Sequence, residues 1–348
     1  MTTVVVPGDD RRRYKTLDAW RALAALAVVV FHCINTPITP SMGPWARVAL
    51  SGWMGVYVFF PISGYCILAA LLRSENATLP QFLRRRWRRI VPPYWASLLL
   101  VIAVAFAAAP FNQHRVGYLN IGTAKWASVL TLTQTWVNSP AVLNPVYWTL
   151  CYEEQFYLVM ALTLLAPGEH RLRVLLAVTL VATAYCFPVW PDRFRVTGLF
   201  LGFWPSFASG LAAFAWLHLP QYRWWAVSMF ACVAATALQT REVGLITSGT
   251  AALAFIILAP YDDAMAGTKI GAALISIGLF SYSLYLVHVP IGGRVVNGLL
   301  RAPLPFLVPS AIAIGVSLAA GWCFYMAIER RFLNVTPAVP ALPLQRVS

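Results

Sequence analysis

The sequence predicts an all-α integral membrane protein, a bundle of about ten transmembrane helices with both termini in the cytoplasm. Of the 348 residues, 59% are hydrophobic and 11% are charged, and the mean hydropathy is +0.68. A soluble domain carries about 25% charged residues, so a bilayer is the expected solvent for this much apolar surface. The 14 tryptophans agree with many helix crossings, because tryptophan favours the headgroup belts.

Ten apolar runs approach the length of about 20 residues that a helix needs to cross a bilayer. They cover approximately residues 17–36, 50–72, 91–110, 146–166, 172–190, 197–217, 223–239, 244–260, 271–290 and 305–328. Residues 121–138 are less apolar and rich in Thr and Gln, which indicates an interfacial or re-entrant segment.

The distribution of Lys and Arg predicts the orientation of these spans. If ten spans alternate, most of the 26 basic residues fall on the side of the N terminus. Basic loops favour the cytoplasm, so both termini are expected there. We expect a cytoplasmic tail over residues 1–16, one membrane domain over 17–335 and a disordered cytoplasmic tail over 336–348.

The net charge of +14 does not indicate nucleic-acid binding, because the basic residues lie between apolar runs and no recognition motif accompanies them. The six cysteines form no Cys-x-x-Cys pair and lack zinc-like spacing to histidine. We therefore expect no metal and interpret the cysteines as small packing residues.

Arg21 and His32 are the first candidates for chemistry. They lie eleven residues apart on one predicted helix, which is close to three turns, so they share a face about 16 Å apart along the axis. A phosphorylated donor with a long arm, such as coenzyme A, could bind at the arginine and reach the imidazole. The alternative is a helix-start arginine and a buried histidine bonded to a neighbouring helix.

A cluster of arginines precedes the third run. Five of the six positions from Arg84 to Arg89 are arginine, and guanidinium groups bind phosphate oxygens in pairs of hydrogen bonds. Arg86 and Arg89 are three residues apart and would share a helix face. Topology signalling with contact to lipid phosphates is the alternative interpretation.

Three further patterns place polar groups in apolar runs. Glu153 and Glu154 are adjacent and point about 100° apart on a helix, so one is expected to meet a basic partner. Ser281 and His288 are two turns apart, on one face. Glu329 follows the last run and could pair with the arginine cluster. The alternatives are a structural ion pair and ordinary hydrogen bonds between helices.

Six motifs together give the chain a specific resemblance. LDAWRALAALAVVVFH, GVYVFFPISGY, FLRRRWRRIVPPYW, WTLCYEEQFYL, SYSLYLVH and IERRF occur in the order seen in acyltransferase family 3 of membrane proteins, from about Leu17 to Phe332. The resemblance implies a bundle of about ten helices in a bacterial inner (plasma) membrane. It also implies O-acylation of carbohydrates, usually with acetyl-CoA as the donor. The chain departs from the family pattern at Ala19, Pro61 and Arg331, which leaves the matched reactive residues intact.

The resemblance also implies functional roles for Arg21, His32, Ser63, Arg86, Arg89, Trp148 and Glu153, and the polar residues of the same motifs complete the set of candidates. The catalytic candidates are Arg21, His32 and Glu153. The candidates for donor binding are Arg85, Arg86, Arg89, Ser63 and Tyr94. The candidates for acceptor binding are Trp148, Ser281, Tyr285 and His288.

The leading hypothesis is O-acyl transfer from acyl-CoA to a sugar hydroxyl, with His32 as general base and Arg21 or another donor stabilising the oxyanion. Glu153 could orient His32 or hold the acceptor. A covalent acyl-histidine step stays open. The rival hypothesis is a transporter or flippase for a lipid-linked or anionic substrate, because polar residues inside a membrane also mark transport pathways. A non-catalytic assembly partner is the third alternative, disfavoured because Arg21, His32 and Glu153 are all present.

Overall fold

The computed structural model describes residues 14–34, 39–72, 78–108, 119–137, 143–189, 198–305 and 307–333. In these ranges the chain is helical and forms no β-strand. The predicted tails fall largely outside the described residues, which begin at Tyr14 and end at residue 333.

Eleven longer helices follow one another along the described part of the chain. They are α1 (Thr16–Ile34), α2 (Gly55–Leu72), α3 (Leu79–Ala108), α4 (Trp148–Leu162), α5 (Gly168–Val189), α6 (Trp204–His218), α7 (Arg223–Thr240), α8 (Val243–Leu258), α9 (Lys269–Leu279), α10 (Ser281–Leu299) and α11 (Leu307–Ala327). Short helices cover Pro44–Leu50, Thr123–Leu130 and Asp262–Gly267.

Each of the ten predicted runs coincides with a helix, and the ninth coincides with two. By length and hydropathy, six of the described segments are able to cross a membrane, or seven if α9 and α10 form one bent span. A multi-pass, all-α membrane protein is therefore confirmed, whereas ten crossings and the orientation stay predictions. The segment 121–138 contains the short helix Thr123–Leu130 followed by turns.

Helix α3 begins well before the apolar run that predicted it. The run was expected from residue 91, but the helix begins at Leu79 and includes the whole arginine cluster. Arginine is a good helix former, so the charged residues continue the backbone geometry of the apolar part. The arginines therefore lie on a long rigid helix that leads into the membrane.

The N terminus of α1 is capped by a residue from a distant part of the chain. The carboxylate of Asp262 accepts hydrogen bonds from the backbone N–H groups of Lys15 and Thr16, at 3.0 and 2.8 Å, and from the Thr16 hydroxyl at 2.7 Å. These N–H groups have no partner inside the helix, and a carboxylate suits the positive end of the helix dipole. Asp262 thereby fixes the start of the helix that carries Arg21.

Helices α9 and α10 form a broken span. Their axes differ by 71° across the break at Phe280. The first turn of α10 is capped by Glu329, whose Oε2 accepts from the backbone N–H of Ser283 at 3.1 Å and from the Ser283 hydroxyl. The turn after α11, which contains Glu329, is therefore hydrogen-bonded to the first turn of α10, next to the break.

Helices α2 and α6 meet backbone to backbone at two glycines. A Cβ on Gly64 would overlap the carbonyl of Phe207, and a Cβ on Gly210 would overlap the carbonyl of Pro61. Glycine at a helix interface permits this close approach, as is common in membrane helices. Next to this seam the rings of Phe156 and Phe207 stack with centroids 4.2 Å apart.

Candidate active site

A polar cavity lies inside the helix bundle, with an interior volume of about 110 Å³. Its walls come from α1, α2, α3, α4, α9, α10 and the turn after α11. Its polar lining comprises Arg21, Ser63, Cys66, Arg86, Arg89, Thr149, Glu153, Tyr157, Ser281, Tyr282, Tyr285 and Glu329. Ionisable groups inside a membrane are costly and usually mark a functional site.

Arg21 is held in place by its own helix and by α2. Its Nη1 lies 2.6 Å from Oδ1 of Asp18, one turn earlier, and its Nη2 donates to the sulfur of Cys66 at 3.1 Å. Asp18 is buried, so the ion pair is shielded from water. The guanidinium is therefore oriented toward the cavity before any ligand binds.

Arg86 and Arg89 face the same cavity from α3, as their spacing of three residues requires. The Cζ of Arg86 lies 5.5 Å from the ring centroids of both Phe82 and Tyr157, within the range of cation–π attraction. Neither arginine forms an ion pair with a carboxylate among the residues that the structure describes. Their N–H groups are thus available for an anionic ligand.

The carboxylate of Glu153 accepts hydrogen bonds from two hydroxyl groups, one on α2 and one on its own helix. Its Oε1 accepts from the Ser63 hydroxyl at 3.0 Å, and its Oε2 accepts from the Tyr157 hydroxyl at 3.1 Å. Glu154 points elsewhere, and its Oε1 is buried without a hydrogen-bond partner in the described part of the chain. Only the first of the two adjacent glutamates therefore faces the cavity.

The start of α10 contributes Ser281 and Tyr285. The Ser281 hydroxyl donates to the carbonyl of Gly278 at 2.8 Å. The Tyr285 hydroxyl lies 2.8 Å from the carbonyl of Val146 and 2.7 Å from the hydroxyl of Thr149. Both side chains line the cavity, as does Glu329, whose hydrogen bonds go to Ser283. The suggested direct pairing of Glu329 with an arginine is not seen among the described residues.

His32 and His288 contact each other beside the cavity. The Nδ1 of His32 lies 3.3 Å from the Nε2 of His288, with ring centroids 5.0 Å apart. Neither imidazole is part of the cavity lining. Tyr285, which does line the cavity, has its ring centroid 5.9 Å from that of His288 and 5.9 Å from that of Phe59.

Three predicted residues lie away from the cavity. Tyr94 is fully buried, and its hydroxyl donates to the carbonyl of Val129 at 2.7 Å and accepts from Gln134 at 3.0 Å. Trp148 packs against the rings of Tyr152 and Phe203. Arg85 is on the exposed side of α3. Tyr94 follows the cavity residues of α3 and Trp148 precedes those of α4, but packing turns both side chains toward other parts of the chain.

The prediction omitted Tyr157, Tyr282, Thr149 and Cys66, all of which line the cavity. Tyr157 follows Glu153 by four residues, a spacing that places both on one helix face and could have identified it. The pairing of His32 with His288 joins residues 256 positions apart and had no local signal.

Within the described ranges, no group of three or more His, Cys, Asp or Glu side chains is arranged to hold a metal ion. The polar groups of the cavity are instead guanidinium, carboxylate and hydroxyl groups. This set suits an organic ligand with anionic and hydroxyl groups.

Comparison with known proteins matches the family model described as an acyltransferase domain over residues 14–327. Peptidoglycan O-acetyltransferase OatA of Listeria monocytogenes is 30% identical over 164 residues, which is 43% of this chain and 24% of that protein. O-acetyltransferase OatA of Staphylococcus aureus is 28% identical over 161 residues, again 24% of its length. The chain thus spans about a quarter of these two relatives.

A third relative matches over nearly the whole chain. BcsY of Komagataeibacter xylinus, whose name describes it as a candidate membrane-bound transacylase, is 27% identical over 97% of this chain and 87% of its own length. No solved structure matches the chain.

Proposed function

Because the chain belongs to acyltransferase family 3, whose domain it matches over residues 14–327, we propose that it O-acylates a carbohydrate. The donor is an acyl-CoA, in the simplest case acetyl-CoA. The acceptor is a hydroxyl of a surface polysaccharide, a lipid-linked glycan or a glycosylated metabolite. Relatives named as O-acetyltransferases, one of them for peptidoglycan, support this class of acceptor.

The main observation in support of the proposal is that three arginines from two helices line the same cavity. Arg21, Arg86 and Arg89 line it together, and only Arg21 is paired with a described carboxylate. Phosphate groups are the natural ligands of such guanidinium forks. In this proposal the phosphates bind at the mouth of the cavity and the narrow arm of the donor enters it.

The chemistry needs a base, an orienting group and a charge stabiliser. His32 takes the proton of the acceptor hydroxyl, whose oxygen attacks the thioester carbonyl carbon; the C–O bond forms and the C–S bond breaks. The thiolate of CoA leaves and receives the proton from His32. Arg21, about three helical turns from His32, stabilises the negative charge of the donor in the cavity, and Glu153 holds the acceptor. To reach His32, which does not line the cavity, the arm must extend beyond the lining residues, among them Tyr285 next to His288.

We place the protein in a bacterial inner (plasma) membrane with ten spans. Residues 1–16 and 336–348 are then cytoplasmic tails, and residues 17–335 are the membrane domain. The donor arrives from the cytoplasm, which agrees with an arginine cluster on the side that the positive-inside rule assigns to the cytoplasm.

The experiment measures CoA release by the purified protein with acetyl-CoA and a glycan acceptor extracted from the producing cells. We expect the Arg86→Ala/Arg89→Ala variant to raise the KM for acetyl-CoA at least about tenfold, since each charge-assisted hydrogen bond contributes about 1.5–3 kcal/mol. Arg84→Ala is the matched control, because Arg84 is exposed on the same helix and does not line the cavity. Its KM should equal that of the wild type.

Two results would overturn parts of the proposal. One is full acylation by a folded His32→Ala variant, which would exclude His32 as the base but would leave the proposed acyl transfer standing. The other is movement of intact substrate across proteoliposomes without CoA release, which would favour the transporter alternative. The broken span of α9 and α10 gives that alternative its own structural support, since transporters often bind substrates at such breaks.

A further inference from the structure

The contact between the two interior histidines fixes which ring nitrogen carries the proton. The Nδ1 of His288 lies 2.9 Å from the carbonyl oxygen of Tyr285 and 3.1 Å from that of Leu284. A carbonyl oxygen only accepts hydrogen bonds, so Nδ1 of His288 must be the protonated nitrogen. In a neutral ring the Nε2 of His288 is therefore unprotonated and can only accept a hydrogen bond.

The same reasoning applies to His32. Its Nδ1 lies 2.9 Å from the carbonyl oxygen of Val28 and 3.3 Å from the Nε2 of His288. Both neighbours are acceptors, so the proton of His32 is on Nδ1 and is shared between them. The Nε2 of His32 is then unprotonated, and no described residue forms a hydrogen bond with it.

We propose that His288 is a positioning residue that accepts the Nδ1–H of His32 and thereby presents the Nε2 of His32 as the base. This inference rests on the proposed function, in which His32 removes the acceptor proton. It differs from the acceptor-binding role predicted for His288, which the full burial of that side chain makes difficult. When Nε2 of His32 takes the proton, the contact to His288 also stabilises the positive charge.

Two substitutions separate this role from simple packing. His288→Leu removes the acceptor, whereas His288→Gln supplies a carbonyl oxygen in its place. We expect His288→Leu to lower kcat about tenfold or more, a part of the roughly 10²–10⁴-fold that a positioned base contributes, with the KM for acetyl-CoA unchanged. His288→Gln should recover most of the lost kcat.

The outcome that contradicts the role is an equal loss in both folded variants, or a raised KM for the acceptor with unchanged kcat. The tautomer itself is tested without activity, by ¹⁵N solid-state NMR of histidine-labelled wild-type protein in lipid. We expect the His32 ring, assigned with His32→Gln, to carry its proton on Nδ1. A proton on Nε2 would overturn the inference, whether or not the variants fold.

The NMR spectrum and the activity of His32→Gln together distinguish a failure of the proposed base mechanism from a failure of the role of His288. Full activity of His32→Gln would end the proposed base mechanism. An Nε2-protonated His32 in an enzyme that loses activity on His32→Gln would end only the role of His288.

Discussion

The Ser63 hydroxyl donates to the Glu153 carboxylate at 3.0 Å, joining α2 to α4 across the cavity. If this carboxylate holds the acceptor, Glu153→Gln should lower kcat at least about 100-fold, the scale of a well-placed acid–base or orienting group. The amide preserves size and hydrogen bonding but removes the charge. The measurement is CoA release at saturating acetyl-CoA.

Glu154→Gln is the matched control for that variant. Glu154 does not line the cavity, and its Oε1 is buried without a partner in the described part of the chain. A neutral amide is less costly to bury than a carboxylate, so this variant should keep its kcat and be at least as stable as the wild type. Equal losses of activity in the two variants would contradict the assignment of Glu153.

Tyr94→Phe should affect stability and leave donor binding unchanged. The hydroxyl of Tyr94 connects α3 to the short helix Thr123–Leu130 through the Val129 carbonyl, and to the segment after that helix through the Gln134 side chain. Loss of these bonds leaves buried polar groups without partners, at a cost of about 1–3 kcal/mol. Thermal unfolding in detergent should show this loss of stability as a lower melting temperature. A raised KM for acetyl-CoA at unchanged melting temperature would instead restore the donor-binding role.

Asp262→Ala should destabilise the protein by removing the cap of α1. Loss of a helix N-cap costs about 0.5–2 kcal/mol, and here the cap also joins distant parts of the chain. Asp263→Ala is the control: Asp263 forms an exposed ion pair with Lys15 at 2.9 Å, and exposed pairs contribute little. Melting temperatures of the two variants should therefore differ, and equal values would show that Asp262 does not act as a cap.

Asp18→Asn should disturb the site through Arg21. Breaking a buried ion pair by removing one partner costs roughly 3 kcal/mol or more, because the other charge stays buried. A double-mutant cycle with Arg21→Gln, read by thermal unfolding, should show that the two losses do not add. Additive losses would mean that the 2.6 Å contact contributes little.

The sequence predicts the helices well, because apolar runs of membrane length leave few alternatives to a helix. It also predicts that Arg86 and Arg89 share one face of α3, and both line the cavity. Of Ser281 and His288, which were expected on one face of α10, only Ser281 lines it. These inferences need only the helical repeat.

Contacts between helices were harder to predict. Tyr94 belongs to the motif that contains the arginines, yet its side chain turns toward Gln134. The break at Phe280 has no proline or glycine at that position, although Gly278 lies two residues before it. Such features depend on how the helices pack, and hydropathy and residue spacing within one helix carry no information on that.

The glycine seam between α2 and α6 limits how the protein can admit a substrate. At Gly64 and Gly210 the two backbones touch with no side chain between them to compress or rotate. Helix α2, which carries Ser63, is therefore held firmly against α6 and forms a rigid side of the cavity. The cavity is also lined by α3 and by the broken span of α9 and α10, so any widening that admits a thioester and a sugar falls to those helices rather than to α2.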